Sequence, residues 1–82
     1  MPLFLGVHKL PENMDDKQAS DGFDKYKNSA KAKGLHPLFA VYSLEKGFAY
    51  CQTEAPSAQE VWDAHKEVEI PLEDVIEVKR IE

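Results

Sequence analysis

A proline-marked break between a strand and a helix most constrains how this chain can fold. Residues 51–54 have strand character, and Pro56 then stops the ladder because proline has no N–H to donate. Ser57 and Glu60 have the S-x-x-E spacing of a helix-capping box. The inner side of the helix that follows carries Ala58, Val61, Trp62, His65 and Val68. The pattern therefore predicts a strand-to-helix junction and a helix over residues 58–68.

The same signals divide the rest of the chain. Asn13 or Asp15 can cap a first helix, and Gly34 is suited to end it. That helix has a narrow apolar stripe of Ala19, Phe23, Tyr26 and Ala30. Pro37 restricts the start of the second strand to a sheet edge or a bulge. The predicted strands are residues 3–8, 35–44, 48–54 and 75–81, and the predicted helices are residues 15–33 and 58–68.

The element order β-α-β-β-α-β predicts an α+β, ferredoxin-like fold for a single domain over residues 1–82. Right-handed crossovers then give a four-stranded antiparallel sheet with both helices on one face. Leu3, Leu5 and Val7 cannot share a sheet face with Phe4, so the face without helices is also apolar. An apolar face in so small a domain predicts a homodimer formed by two sheets packed face to face.

Charge and composition exclude several classes of function. The net charge is -5, and residues 51–82 carry nine acidic and three basic side chains, which argues against a nucleic-acid surface. No apolar run approaches the ~20 residues that span a membrane, so we expect no membrane partner. The N-terminus lacks the charged start of a signal peptide. One cysteine excludes an internal disulfide, and we predict a cytoplasmic protein.

Four side chains are candidate metal ligands: His8, Cys51, Glu54 and His65. Two imidazoles, a thiolate and a carboxylate suit a borderline-soft divalent ion such as nickel, zinc or copper. The chain lacks the short ligand spacings of common metal motifs, so other roles stay open. Each histidine can be an ordinary hydrogen-bonded residue, and Cys51 can be a small buried apolar side chain.

Aromatic side chains offer a second kind of site. Phe23, Tyr26 and Trp62 can line a pocket between helices and sheet, or simply fill the core. With His65 as an acid or base, such a pocket could serve small-molecule binding or the monooxygenase or isomerase chemistry of dimeric α/β-barrel proteins, by fold analogy. No catalytic motif is present, so we predict binding rather than catalysis. A ligand-free interaction module is the third alternative.

Four segments carry a resemblance to a known family. They are the opening residues 1–10, the C-x-x-E-A-P motif at 51–56, Ala64-His65-Lys66-Glu67, and the tail 74–78. Together they resemble the small nickel-binding ferredoxin-like proteins of bacteria, a family largely of unknown function. The resemblance implies a ferredoxin-like dimer that binds nickel or a related divalent ion. It implies nitrogen ligands from His8 and His65, with Glu54 as a ligand or supporting carboxylate. Cys51, the first residue of the C-x-x-E-A-P motif, is retained as a fourth candidate ligand.

The chain also departs from the pattern of that family. Gly6 stands where the first-strand motif has an aspartate, and Glu69 stands where a second histidine often follows. Phe23 and Tyr26 match the positions at which the first helix usually carries a histidine and an aspartate. Aromatic side chains in place of ligands imply a drier and more apolar pocket.

Overall fold

The fold is a four-stranded antiparallel sheet with two helices, seen in a computed structural model that describes residues 1–82. The elements in chain order are β1 (Leu3–Lys9), α1 (Asp16–Ala32), β2 (His36–Ser43), β3 (Phe48–Glu54), α2 (Ala58–Glu67) and β4 (Asp74–Val78). The strands lie in the order β2-β3-β1-β4, and every neighbouring pair is antiparallel. Both helices cover one face of the sheet and contact each other. This confirms the predicted ferredoxin-like βαββαβ fold.

Reciprocal hydrogen bonds start α1 at the predicted place. The Asp15 carboxylate accepts the Gln18 backbone N–H at 2.8 Å, and the Gln18 side-chain oxygen accepts the Asp15 N–H at 2.9 Å. Of the two predicted caps, the structure therefore uses Asp15. At the other end Gly34 has φ +79, the left-handed conformation that glycine adopts without steric cost. That conformation confirms the predicted stop.

α2 begins at Ala58 as predicted, but its capping and its last residue differ from the prediction. Ser57 is the N-cap residue, but its side chain makes no capping hydrogen bond, so the predicted box with Glu60 is wrong. Ser57 is exposed, and water can solvate the free N–H groups in its place. The helix ends at Glu67, one residue before the predicted end, because Glu69 adopts the left-handed conformation at φ 57.

Pairing with neighbours explains where the outer strands begin and end. β2 lies at the edge of the sheet, and its register is irregular between Pro37 and Phe39, as the proline predicts. β4 was predicted to continue to residue 81, but it ends at Val78. Val78 pairs with Leu3, the first residue of β1, so residues 79–81 have no strand beside them.

The core lies between the helices and the sheet. Its buried apolar side chains are Phe4, Tyr26, Ala30, Leu35, Cys51, Ala55, Val61 and Ala64. The opposite sheet face has no helix over it, and there Val41 and Ile76 remain 48% and 44% exposed. No helix has the length and apolar character needed to cross a bilayer.

Candidate metal centre and adjoining cavity

Three of the predicted ligands meet between the sheet and α2. His8 Nε2 lies 3.4 Å from Cys51 Sγ, and His65 Nε2 lies 3.5 Å from the same sulfur. Cys51 pairs with Gly6 across the β1–β3 ladder, and His8, two residues further along β1, lies on the same face. His65 comes from the buried side of α2. The fold thus brings together residues that are 43 and 14 positions apart.

The absence of a side chain at Gly6 makes room for the sulfur. A Cβ atom at this position would lie 2.5 Å from Cys51 Sγ and 3.3 Å from a methyl carbon of Leu72. Real Cβ atoms essentially never come as close as 2.5 Å to another atom, and 3.3 Å is tighter than most real contacts. Gly6 is therefore required for the observed position of the thiol beside the two imidazoles.

Backbone carbonyls fix the orientation of both imidazoles. His65 Nδ1–H donates to the Val61 carbonyl at 2.8 Å, and His8 Nδ1–H donates to the Pro71 carbonyl at 3.0 Å. Since a carbonyl only accepts, each Nδ1 carries the proton and each Nε2 keeps a free lone pair. Both lone pairs are directed at Cys51. Its thiol has one proton to donate, so one of the two nitrogen acceptors lacks a protein donor.

Aromatic packing supports the cluster from the α1 side. The Tyr26 ring stacks on the His65 imidazole, with centroids 3.8 Å apart and planes inclined by 21°. The Tyr26 hydroxyl shares a hydrogen bond of 2.5 Å with the Thr53 hydroxyl. Burial is the main cause that raises the pKa of Tyr26, so this phenol stays neutral. Tyr26 therefore holds the His65 ring in place.

Burial keeps the cluster uncharged at neutral pH. It lowers the pKa of His65 to about 4, lowers the pKa of His8, and raises the pKa of the Cys51 thiol to about 12. Neutral imidazoles are the form that binds metals, whereas a cysteine must lose its proton to do so. A cation in the cluster would supply the positive charge that favours the thiolate.

The donor set fits a borderline divalent ion. Metal–sulfur and metal–nitrogen bonds of about 2.3 and 2.0 Å at a tetrahedral angle separate nitrogen from sulfur by about 3.5 Å. The observed separations are 3.4 and 3.5 Å, and all three ligand atoms lie within 4.8 Å of one another. The backbone carbonyls behind both imidazoles are the usual outer partners of metal-bound histidines. His8, Cys51 and His65 can therefore hold a metal ion.

The fourth predicted ligand, Glu54, lies away from this cluster. It is three residues after Cys51 on β3, and residues an odd number apart on a strand point to opposite faces. Its carboxylate lies 3.6 Å from His36 Nδ1, near the first residue of β2. The structure therefore does not bring Glu54 to the centre.

A cavity of about 400 Å³ adjoins the cluster between α1 and the sheet. His8, Cys51 and His65 are part of its wall, and so are Phe23 and Tyr26, two of the three predicted pocket residues. Trp62, the third, is not in this wall. It lines a second, more open groove with Pro71 and Leu72, and His65 borders both. It is one residue after the buried Val61, so the helix turns it by 100° toward the surface.

Comparison with known proteins supports the fold. No protein-family model matches the chain, and no curated protein sequence matches it. A solved structure, that of SCO4226 from Streptomyces coelicolor A3(2), has a TM-score of 0.87 and covers 98% of this chain and 99% of its own. At 22% identity this likeness shows a shared ferredoxin-like fold. Membership of the nickel-binding family stays a prediction.

Several features of the centre carry no signal in the sequence. The carbonyls of Val61 and Pro71 belong to the backbone, so residue types do not reveal them. Gly6 was noted as a departure from a family pattern, and its close approach to Cys51 depends on strand register. The i−4 spacing of Val61 and His65 on one helix was the one usable clue.

Proposed function

We propose that this protein binds one borderline divalent metal ion, of the nickel and zinc type, through His8 Nε2, Cys51 Sγ and His65 Nε2. The observation that carries the proposal is the convergence of two oriented imidazole lone pairs on one buried sulfur. The ion would replace the thiol proton, which leaves to solvent, and would satisfy all three donors together.

A structural likeness and a sequence resemblance support the same proposal at different levels. The likeness to SCO4226 supports the fold that brings β1, β3 and α2 together. The resemblance to small nickel-binding proteins supports the choice of metal, since His8, Cys51 and His65 are retained. Glu54 is left out of the ligand set because it lies on the opposite side of β3.

The test is a calorimetric titration of the tag-free protein with nickel and with zinc. We expect saturation near one ion per chain in the wild type, and loss of that binding in the His8→Ala/His65→Ala variant. Wild-type protein that takes up no ion, or a double variant that binds as well as the wild type, would contradict the proposal.

His36 and Glu54 provide matched controls. His36→Ala removes an imidazole that lies outside the cluster. Glu54→Gln removes the carboxylate that lies beside His36. Both variants should bind metal as the wild type does. A loss of affinity in Glu54→Gln would restore this residue to the ligand set.

The cavity favours a second candidate function, the binding of a small organic molecule without metal. Phe23 and Tyr26 give it an aromatic wall, and its volume of about 400 Å³ lies in the range of small-molecule sites. This alternative predicts that an apolar ligand binds equally well to metal-free and metal-loaded protein. Comparing the affinities of metal-free and zinc-loaded protein for 3-phenylpropionate separates the two candidates.

A further inference from the structure

We infer that the metal-loaded protein takes a small apolar monoanion, a carboxylate or a thiolate, whose head binds the metal and whose body fills the cavity. This inference rests on the proposed metal site and names its ligand. Three observations carry it: the position of the cluster in the cavity wall, the absence of charge on that wall, and the net charge of the loaded centre.

His8, Cys51 and His65 all line the cavity, so an ion held among them would lie at its wall. Three protein donors would leave that ion a free position for a ligand from the cavity. Three protein ligands are the usual number at zinc sites that keep a position for an exogenous ligand, whereas structural sites use four. Glu54, the remaining predicted ligand, is on the other face of the sheet and cannot close the site.

The cavity wall selects an apolar body. Twelve of its seventeen lining residues are hydrophobic, and no aspartate, glutamate, lysine or arginine is among them. Phe23 and Tyr26 are aromatic members of that wall. A charged ligand body would lose its hydration here and would meet no side chain of opposite charge.

The charge of the loaded centre selects an anionic head. A divalent ion with two neutral imidazoles and one thiolate has a net charge of about +1. A buried charge without a counterion is costly in apolar surroundings, and the cavity wall supplies no counterion. A ligand with one negative charge makes the centre neutral. A hydroxide formed from bound water would do the same, but only an organic anion also fills the apolar cavity.

The test compares 3-phenylpropionate with two probes that each lack one part of it. The probe 3-phenyl-1-propanol keeps the apolar body without the charge, and propionate keeps the charge without the ring. Calorimetry on zinc-loaded wild-type protein should show 3-phenylpropionate binding at least tenfold more tightly than either. Metal-free protein should bind it at least tenfold more weakly. In cobalt-loaded protein the same probe should change the visible absorption spectrum.

A cavity-filling variant and a matched control test the location. Ala19 lines the cavity from α1, so Ala19→Phe should weaken 3-phenylpropionate binding at least tenfold while zinc still binds. Asn28→Phe places the same side chain on the exposed side of α1 and should change neither affinity. Circular dichroism checks that both variants fold.

The outcomes separate this inference from the proposed function. Metal content is measured first, and protein that takes up no metal contradicts both. Loaded protein that binds 3-phenylpropionate no better than the alcohol, or no better than metal-free protein does, contradicts this inference alone. Unchanged binding in Ala19→Phe would also overturn it.

Discussion

His65 is neutral in the folded protein because it is buried, and this has a consequence for stability. Its pKa falls from 6.5 to about 4, and the lowered pKa of His8 acts in the same direction. Below pH 6.5 His65 is protonated in the unfolded chain, whereas in the folded protein it stays neutral down to about pH 4. Folding stability is therefore complete above pH 6.5 and is lost as the pH falls toward 4.

We expect the free energy of unfolding of the metal-free protein to fall by about 3 kcal/mol between pH 7 and pH 4 through His65. Urea unfolding across this range measures it. A His65→Gln variant should show a shallower pH dependence than the wild type, whatever its stability at pH 7. Equal slopes in the wild type and His65→Gln would contradict the assignment.

Gly6 leaves the space that the Cys51 sulfur occupies beside the two imidazoles. Because a Cβ atom there would overlap Cys51 Sγ, Gly6→Ala should turn the thiol away from the imidazoles and weaken nickel binding at least tenfold, about 1.4 kcal/mol. Gly22→Ala is the matched control, since a Cβ at Gly22 meets no atom within 4 Å. It should leave nickel affinity unchanged and stabilise α1 by about 1 kcal/mol. Wild-type affinity in Gly6→Ala would contradict the role of Gly6.

Residue types singled out the three side chains that the fold brings together, but not the geometry in which they meet. His8, Cys51 and His65 are chemically conspicuous, and β-strand alternation alone separates Glu54 from Cys51 once β3 is placed. The proton positions on the two imidazoles depend on the carbonyls of Val61 and Pro71. Backbone carbonyls are the same at every residue, so only the folded chain reveals which ones lie behind a histidine.

At the scale of elements, the two helices end in the same hydrogen-bonded motif with different residues. In α1, Gly34 N–H donates to the Lys31 carbonyl and Leu35 N–H to the Ala30 carbonyl. In α2 the Glu69 N–H donates to the Lys66 carbonyl, and the Ile70 N–H donates to the His65 carbonyl. Both are Schellman motifs, which favour glycine at the left-handed position.

Substituting the left-handed residue should stabilise the protein at the end of α2 and destabilise it at the end of α1. Glu69→Gly relieves the strain at φ 57 and should stabilise the protein by about 1 kcal/mol, while Gly34→Ala should destabilise it by a similar amount. Thermal and urea unfolding measure both changes. A Glu69→Gly variant less stable than the wild type would show that the glutamate side chain contributes more than the strain costs.

Hydrophobic periodicity predicted which helices and strands form. Where some of them end depends on the chain segments that lie beside them. Gly34 and Pro37 act through their own backbones, so their effects on α1 and β2 were predictable. The end of β4 depends on where β1 begins, and the end of α2 depends on a left-handed Glu69 that residue type does not indicate. These are properties of neighbouring chain segments, which local pattern does not contain.

At the scale of the whole molecule, the sheet face opposite the helices is apolar and exposed. Phe39, Val41 and Ile76 are each between 39% and 48% exposed, and the first two lie on the edge strand β2. The Gln52 side-chain oxygen lacks a hydrogen-bond partner within the protomer. The protein measures 34 × 29 Å across its longer axes. We propose that a second copy covers this face, as two such surfaces can supply the ~800 Å² per partner of a stable interface.

Val41→Asp tests that dimer by placing a charge in its interface. We expect light scattering coupled to size-exclusion chromatography to give a dimer mass for the wild type and a monomer mass for this variant. Trp62→Asp, the same change at an exposed apolar residue on the helix side, should remain dimeric. A monomeric wild type at micromolar concentration would contradict the proposal.

X-ray absorption spectroscopy of the nickel-loaded protein tests most directly whether two imidazoles and one thiolate bind the metal. We expect one sulfur neighbour and the scattering pattern of two imidazole rings, with the sulfur absent in Cys51→Ser. A first shell of oxygen and nitrogen alone in the wild type, without sulfur or with fewer than two imidazoles, would contradict it.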